Sequence, residues 1–176
     1  GHILNKLTKV SAVFFDRDNT LILDHGYTWK VKDFLWLPGA AQAIKMLNDK
    51  GIYVFVVTNQ AGIAKGKFKE HDVIKFHNHM ENELAKIGGH FDDILYCPYH
   101  INGTVSRYTK DSSYRKPKPG MILHLLRKWK LNPSSCILFG DSQTDIEAGL
   151  AAGVPSFQFK GGNLLVFVKN CINVDS

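Results

Sequence analysis

Two aspartates, Asp16 and Asp18, stand one residue apart in the stretch VFFDRDNT, directly after an apolar run. Like charges that close disfavour each other's ionisation, so the pair calls for a compensating cation. Carboxylates around a divalent ion suit phosphoryl transfer. A carboxylate is a competent nucleophile, and a covalent intermediate splits one hard hydrolysis into two displacements. Mg²⁺ takes oxygen ligands in an octahedron and shares them with substrate phosphate. On this reading Asp16 is ligand and nucleophile, while Asp18 is general acid to the leaving alcohol and then base for water. Alone, the pair also reads as two solvated turn residues.

Three more stretches carry chemistry-bearing side chains. In VVTNQAGIAKG, Thr58, Asn59 and the chain around Gly62 offer a hydroxyl, an amide and backbone N–H groups to phosphoryl oxygens. Polar residues at a strand end also make ordinary caps and turns. In YRKPKPGM, prolines on either side of Lys118 stiffen the chain that carries Arg115 and Lys116. Lysine supplies a compact charge for an aspartate–phosphate cluster, and arginine a fork for a second phosphate or carboxylate. A basic surface loop has the same composition. In ILFGDSQTDIEAGLAAG, Gly140 permits a tight turn and Asp141 emerges to complete a metal site. Asp145, one helical turn on, faces the same way and can hold the lysine or a metal-bound water. Asp141 equally suits a helix cap.

The elements that must position these residues alternate. Strand-like runs are Val10–Phe15, Ile52–Val57, Ile94–Cys97, Cys136–Phe139 and Val154–Phe159. Helical spacing separates them. Pro38 suits a first helical position, with Ile44 and Leu47 on the buried face and Gly51 after the end. Val73, Phe76, Met80, Leu84 and Ile87 mark a second helix stopped by Gly88-Gly89. Pro119 opens a third through Trp129, and Asp141–Ala152 is a short fourth. The fold class is α/β, a Rossmann-like doubly wound parallel sheet with helices on both faces, read as one domain over residues 1–176. In such sheets ligands bind beyond the carboxyl ends of the strands. The first, second and fourth polar clusters all follow strands.

Composition is that of a globular chain with no long uncharged apolar run. The N-terminal GHILNKLTKV lacks the order of a signal peptide. Cys97, Cys136 and Cys171 do not form a disulfide framework, so the expected location is the cytoplasm. The formal charge of +6 comes from lysines and arginines scattered along the chain. That argues against a nucleic-acid binder and suits a basic surface with some excess facing an anionic substrate.

All four motifs, in this order, resemble those of the haloacid dehalogenase-like phosphohydrolases over nearly the whole chain. DRDNTLILDHGY, TNQAGIAKGKF and CPYH…YRKPKPGM look like the subgroup that holds heptose 1,7-bisphosphate phosphatases and histidinol-phosphate phosphatases. DHGY and GIAKGKF favour the heptose enzymes. The resemblance implies a capless Mg²⁺-dependent phosphatase that removes the 7-phosphate through a phospho-aspartate, in carbohydrate metabolism that feeds bacterial lipopolysaccharide. It implies Asp16 as nucleophile and Asp18 as acid and base, with Mg²⁺ on the Asp16 carboxylate, the Asp18 backbone carbonyl and the Asp141 carboxylate. Asp145 stands behind these ligands. Thr58 and Lys116 would stabilise the transferring group, with Asn59, Gln60 and Ala61 beside them. Arg115 would read the remote end of the substrate, and Asp24, His25, Gly26 and Tyr27 would line the sugar side. A monomer acting on a small sugar phosphate, with no nucleic-acid or membrane partner, is the expected state. Histidinol phosphate, another small metabolite, a nucleic-acid 3′-phosphate and a silent binding protein are the alternatives.

The chain departs from the pattern in places. Asn19 stands where the family usually has glycine, and Ser142 where heptose phosphatases often have lysine or arginine. Relatives hold a structural zinc before the Arg-Lys pair. Here only Cys97 is kept, with Tyr99, Ser112 and Tyr114 at the other ligand positions. Serine and tyrosine are poor zinc ligands, and one thiolate plus His100 cannot make a tetrahedral site. No zinc is expected, so packing by Tyr96, Tyr99, Tyr108 and Tyr114 must hold that loop. His71, His77 and His79 sit at offsets that do not match a metal pair and read as surface or packing residues. Trp29 and Trp36 read as core, and Cys136 as a buried strand residue.

Overall fold

The computed structural model describes residues 9–172. The reading of the first eight residues lies outside them. The strands are β1 (Ala12–Phe15), β2 (Tyr53–Asn59), β3 (Asp93–Cys97), β4 (Cys136–Gly140) and β5 (Ser156–Gln158). All four pairings are parallel, in the order β3-β2-β1-β4-β5. Between and after them run α1 (Ala40–Asp49), α2 (Glu70–Ala85), α3 (Gly120–Lys128), α4 (Gln143–Ala151) and α5 (Leu164–Cys171).

Strand alternation sorts the core into two layers. Val13, Phe15, Val54, Val56, Ile137 and Phe139 face α1, α2 and α5. Ala12, Phe14, Phe55, Val57 and Leu138 face α3 and α4. Strands buried on both sides read as continuous apolar runs, which is why they stood out in the sequence. The chain winds outward from β1 through β2 to β3, then crosses to β4 and winds the other way. The strand order therefore reverses between β1 and β4, which is where a ligand crevice forms in such sheets.

Several boundaries differ from expectation. Pro38 precedes the helix, because Gly39 takes a left-handed φ of 77° at the cap and α1 begins at Ala40. Thr58 and Asn59 are the last residues of β2 instead of following it, since both still pair with β3. Asp141 is not the cap of α4. Ser142 caps it, with its side chain and that of Asp145 closing a reciprocal box. β5 is three residues, shorter than the apolar run around it. The helix α5 was not anticipated; Asn163 caps it by accepting from the Val166 N–H, and its Leu164 and Val168 complete the first core layer.

Candidate active site

β1 ends at Phe15, and Asp16 continues its line with its N–H donated to the Phe139 carbonyl of β4 at 3.0 Å. The chain then turns sharply. The Arg17 carbonyl accepts from the N–H groups of Leu21 and Ile22, and Asn19 sits at φ 60°. Asparagine is among the few non-glycine residues that adopt this conformation readily, so the departure at Asn19 is accommodated.

Lys116 reaches this point from the loop before α3. Its ammonium donates to Asp16 Oδ1 at 2.9 Å, Asp145 Oδ1 at 2.6 Å and the Val57 carbonyl at 2.8 Å. Lys116, Asp16 and Asp145 are all buried. Burial pulls the Lys116 pKa down, yet the two carboxylates outweigh it and hold the lysine above its ordinary value. Asp16 goes the other way. Burial pushes it well above the usual carboxylate range, Lys116 pulls it back, and Asp145 and Asp18 add to the rise.

Asp141, at the end of β4, brings a third carboxylate. One oxygen from each of Asp16, Asp141 and Asp145 lies within 4.8 Å of the others. Burial raises Asp141 too, and the carboxyl of Asp16 is near enough to share a hydrogen bond with it. Asp145 has no oxygen to spare. Oδ1 takes Lys116, and Oδ2 takes the Ser142 N–H at 3.1 Å and hydroxyl at 2.9 Å. Gly140 is needed here for space instead of a turn, since a Cβ would come within 2.4 Å of the Asp145 Cβ. The donor set is thus Asp16 and Asp141, hard oxygens whose mutual repulsion a divalent cation would relieve, and it fits Mg²⁺.

Asp18 lies on the other side of Asp16. Arg17 Nε donates to its Oδ1 at 2.8 Å and Gln60 Nε2 to its Oδ2 at 3.3 Å. Gln60 Nε2 also donates to the Thr58 hydroxyl at 3.0 Å, and that hydroxyl makes only a long 3.5 Å contact to the Asn59 carbonyl. Asn59, expected beside the phosphoryl group, spends both ends of its amide on the Lys116 main chain at 3.0 Å each, and so anchors the lysine. Ala61 begins the turn below, its carbonyl accepting from the Lys65 N–H.

The Asp24–Tyr27 segment forms a tight exposed turn. Asp24 Oδ1 accepts from the Gly26 N–H and the Thr28 hydroxyl, Gly26 and Tyr27 both have positive φ, and Tyr27 lies near Phe68. Arg115 is half-buried, and its Nη1 is buried without a partner among the described residues. A cleft of about 460 Å³ bordered by Asn19, Pro38 and Lys160 reaches one of these carboxylates, Asp141. Lys160 carries no motif and was missed. The larger cleft of about 490 Å³, lined by Trp29, Phe68, Arg107 and Tyr108, contains none of the carboxylates and is not the reaction centre.

The sequence reading also passed over Arg17 and Glu70. Arg17 is fully buried beneath Asp18. Glu70 Oε1 accepts from Tyr96 at 2.6 Å and its Oε2 from Tyr108 at 2.5 Å. Tyr99 packs on Tyr108, Lys110 lies 4.3 Å over the Tyr99 ring, and the Tyr114 hydroxyl meets His124 Nδ1 at 2.7 Å. His71 is exposed, but His77 is buried. Trp36 packs against the first core layer, and Trp29 against a small cluster around Phe68.

Known proteins share this arrangement to different depths. The family model of haloacid dehalogenase-like hydrolases matches residues 26–153. A D-glycero-β-D-manno-heptose-1,7-bisphosphate 7-phosphatase of Rhodopseudomonas palustris is 42% identical over 161 residues, 92% of this chain and 89% of that protein. An α-anomer 7-phosphatase of Burkholderia mallei is 36% identical, over 83% of this chain and 77% of its own. A crystal structure of D,D-heptose 1,7-bisphosphate phosphatase from B. bronchiseptica, complexed with magnesium and phosphate, superposes with a TM-score of 0.78 at 28% identity, covering 92% and 87% of the two chains. Motif order, sheet topology and sequence likeness agree, and the chain belongs to the haloacid dehalogenase-like hydrolase family.

Proposed function

We propose that this protein is a Mg²⁺-dependent phosphatase that removes the 7-phosphate of D-glycero-D-manno-heptose 1,7-bisphosphate through a phospho-aspartate. The observation that carries the reading is the meeting of Asp16, Asp141 and Asp145 around Lys116 at the reversal point of the sheet. The relatives named above supply the substrate.

Asp16 and Asp141 would hold Mg²⁺, together with the Asp18 carbonyl. When bound, the ion offsets the negative charge of the carboxylates and of the phosphoryl oxygens. Asp16, oriented by Lys116, attacks phosphorus in line, and Asp18 gives its proton to the departing alkoxide. Asp18 then takes a proton from water as that water attacks the phospho-aspartate, which restores the Asp16 carboxylate and the protonated Asp18 and releases phosphate. Lys116 and the Thr58 hydroxyl stabilise the equatorial oxygens, as fixed donors do in phosphoryl transfer. Arg115 receives the second phosphate, and the Asp24–Tyr27 turn borders the sugar.

Action as a monomer in the cytoplasm is part of this reading. The loop between Cys97 and Arg115 works without zinc on this reading. Tyr99, Ser112 and Tyr114 are each committed to packing or hydrogen bonds of their own.

The test is phosphate release from both anomers of heptose 1,7-bisphosphate and from histidinol phosphate, with Mg²⁺ and with chelator. A heptose bisphosphate should give the highest kcat/KM, and chelator should abolish turnover. Preference for histidinol phosphate would overturn the substrate, and no hydrolysis of any ester by folded protein would overturn the activity.

A further inference from the structure

Arg17 sits between the two aspartates, yet its side chain turns away from the substrate side. It is the largest fully buried side chain, and burying a guanidinium is costly unless its donors find partners. Here they do. Nε donates to Asp18 Oδ1 at 2.8 Å, Nη2 to the Thr28 carbonyl at 2.7 Å, and Nη1 faces His77 Nε2 at 3.2 Å. The guanidinium carbon lies 4.7 Å from the centroid of the Phe76 ring. Position, plane and charge are thus fixed from several directions.

Asp18, by contrast, is a quarter exposed, and among the described residues its carboxylate is held only by Arg17 on one oxygen and Gln60 on the other. An exposed aspartate at the end of a turn has several rotamers within reach. Proton transfer needs the carboxyl within hydrogen-bond reach of the leaving oxygen in one of them. His77 completes the frame as an acceptor, which requires a neutral imidazole at Nε2. Burial and the neighbouring guanidinium push His77 down to about 3, so it remains neutral. The Thr28 carbonyl belongs to the turn that carries Asp24 to Tyr27.

We infer that Arg17 is a positioning residue that holds the Asp18 carboxylate in the orientation for proton transfer and ties it to the turn bordering the substrate. This rests on the reading of Asp18 as the acid and base. Arg17 touches no reacting atom and acts through Asp18 alone.

Leaving-group dependence separates this from a merely structural role. For an enzyme that forms a phospho-aspartate, kcat/KM reports the steps up to expulsion of the alcohol. A protonated Asp18 helps an alkyl alkoxide leave far more than a nitrophenolate. The experiment measures kcat/KM of the Mg²⁺-loaded protein for 2-glycerol phosphate and for 4-nitrophenyl phosphate, in the parent, Asp18→Asn, Arg17→Gln and Arg17→Lys. Asp18→Asn should lower the alkyl-to-aryl ratio by about a hundredfold or more, the range of general acid catalysis. Arg17→Gln should lower it by about tenfold or more. Arg17→Lys keeps the charge and the bulk, but one ammonium cannot span Asp18, Thr28 and His77 together. It should show a fall of several-fold, and it provides the reading if Arg17→Gln does not fold. A ratio unchanged in whichever Arg17 variant folds, with Asp18→Asn selective, overturns the positioning role and leaves Asp18 as the acid. An unselective Asp18→Asn overturns the acid assignment and this inference with it.

Discussion

Two parts of this molecule fix side chains for the same site by opposite means. At the ends of β1 and β4, Lys116 is buried between Asp16 and Asp145, with three short contacts and almost no solvent. Around the loop from Cys97 to Arg115, Glu70 of α2 accepts from the hydroxyls of Tyr108 in the loop and Tyr96 in β3 near the surface, and aromatic packing does the rest. In the first region the ammonium makes both buried carboxylates tolerable, so removing the lysine strands them. In the second, water can replace most of what is lost. The difference teaches where this fold concentrates its vulnerability. The chemistry stands on a cluster that fails as a unit, and the recognition loop on contacts that can be loosened one at a time.

The strongest way to test that contrast is Asp16→Asn. The amide is not nucleophilic, so turnover should fall by on the order of 10⁴-fold or more, as when other enzymes lose a nucleophile. Folding should persist, because the substitution removes a carboxylate that burial already disfavours. Steady-state kinetics beside a melting curve checks both. Substantial remaining activity would contradict the covalent route.

Lys116→Met strikes the same cluster from the cationic side. Loss of a fixed donor to the transferring group should cost about 10²- to 10³-fold in kcat. Removing one partner of a buried pair should also destabilise the fold by about 3–5 kcal/mol. That loss has a predictable pH dependence. Asp16 and Asp141 already have raised folded pKa values, and without the ammonium Asp16 rises further. Their stabilising contribution is present when they are protonated and is lost as pH rises through those values. The variant measured without Mg²⁺ should therefore melt higher at pH 5 than at pH 8. A melting point independent of pH would mean that the carboxylates are compensated by some other group.

Arg115→Ala moves the test to the recognition loop. A hydrogen-bonded charge on a second phosphate is worth about 1.5–3 kcal/mol. The kcat/KM for heptose 1,7-bisphosphate should fall roughly tenfold to a hundredfold further than for a monophosphate. Equal losses would show that Arg115 does not read the second phosphate.

The same contrast governs what could be read from the sequence. The strands were visible because burial on both faces writes unbroken apolar runs, and the acids were visible because they stand where those runs stop. Asp16, Asp141, Asp145 and Lys116 therefore meet as expected, although they are distant in the chain. Hydrogen-bond partners were less legible. Thr58, Asn59 and Gln60 form one polar cluster in sequence, yet Asn59 spends its amide on Lys116 and Gln60 bridges Thr58 and Asp18. Side-chain direction decides that, and it depends on neighbours 57 and 42 positions away. Arg17 drew no reading because its burial depends on contacts with His77 and Phe76 of α2. The helix α5 was missed because its run Leu164–Val168 has no charged residue to mark a period, and only the packing of Leu164 and Val168 declares it.

The smallest effect belongs to Glu70, whose tyrosine partners lie 26 and 38 residues away, too far for any local pattern to reveal. Hydrogen bonds from Tyr108 and Tyr96 hold the Glu70 carboxyl below its ordinary value. Such a group contributes stability above its unfolded pKa, about 4.3, and loses that contribution as pH falls through its lower folded value. Glu70→Gln keeps the shape and removes the charge. It should cost only about 1 kcal/mol at pH 7, since the amide oxygen still accepts one hydroxyl and solvent serves the other. The gap in melting temperature between parent and variant should close as pH drops below 4. Catalysis should register the change as a raised KM for the bisphosphate with kcat held, because the loop that presents Arg115 is loosened while the carboxylate–lysine cluster is untouched. If the loop is instead fastened by zinc, dialysis against a zinc chelator would lower the parent's melting point more than Glu70→Gln does. That outcome would remove the tyrosine clamp from the comparison and leave two metal-dependent regions in place of one.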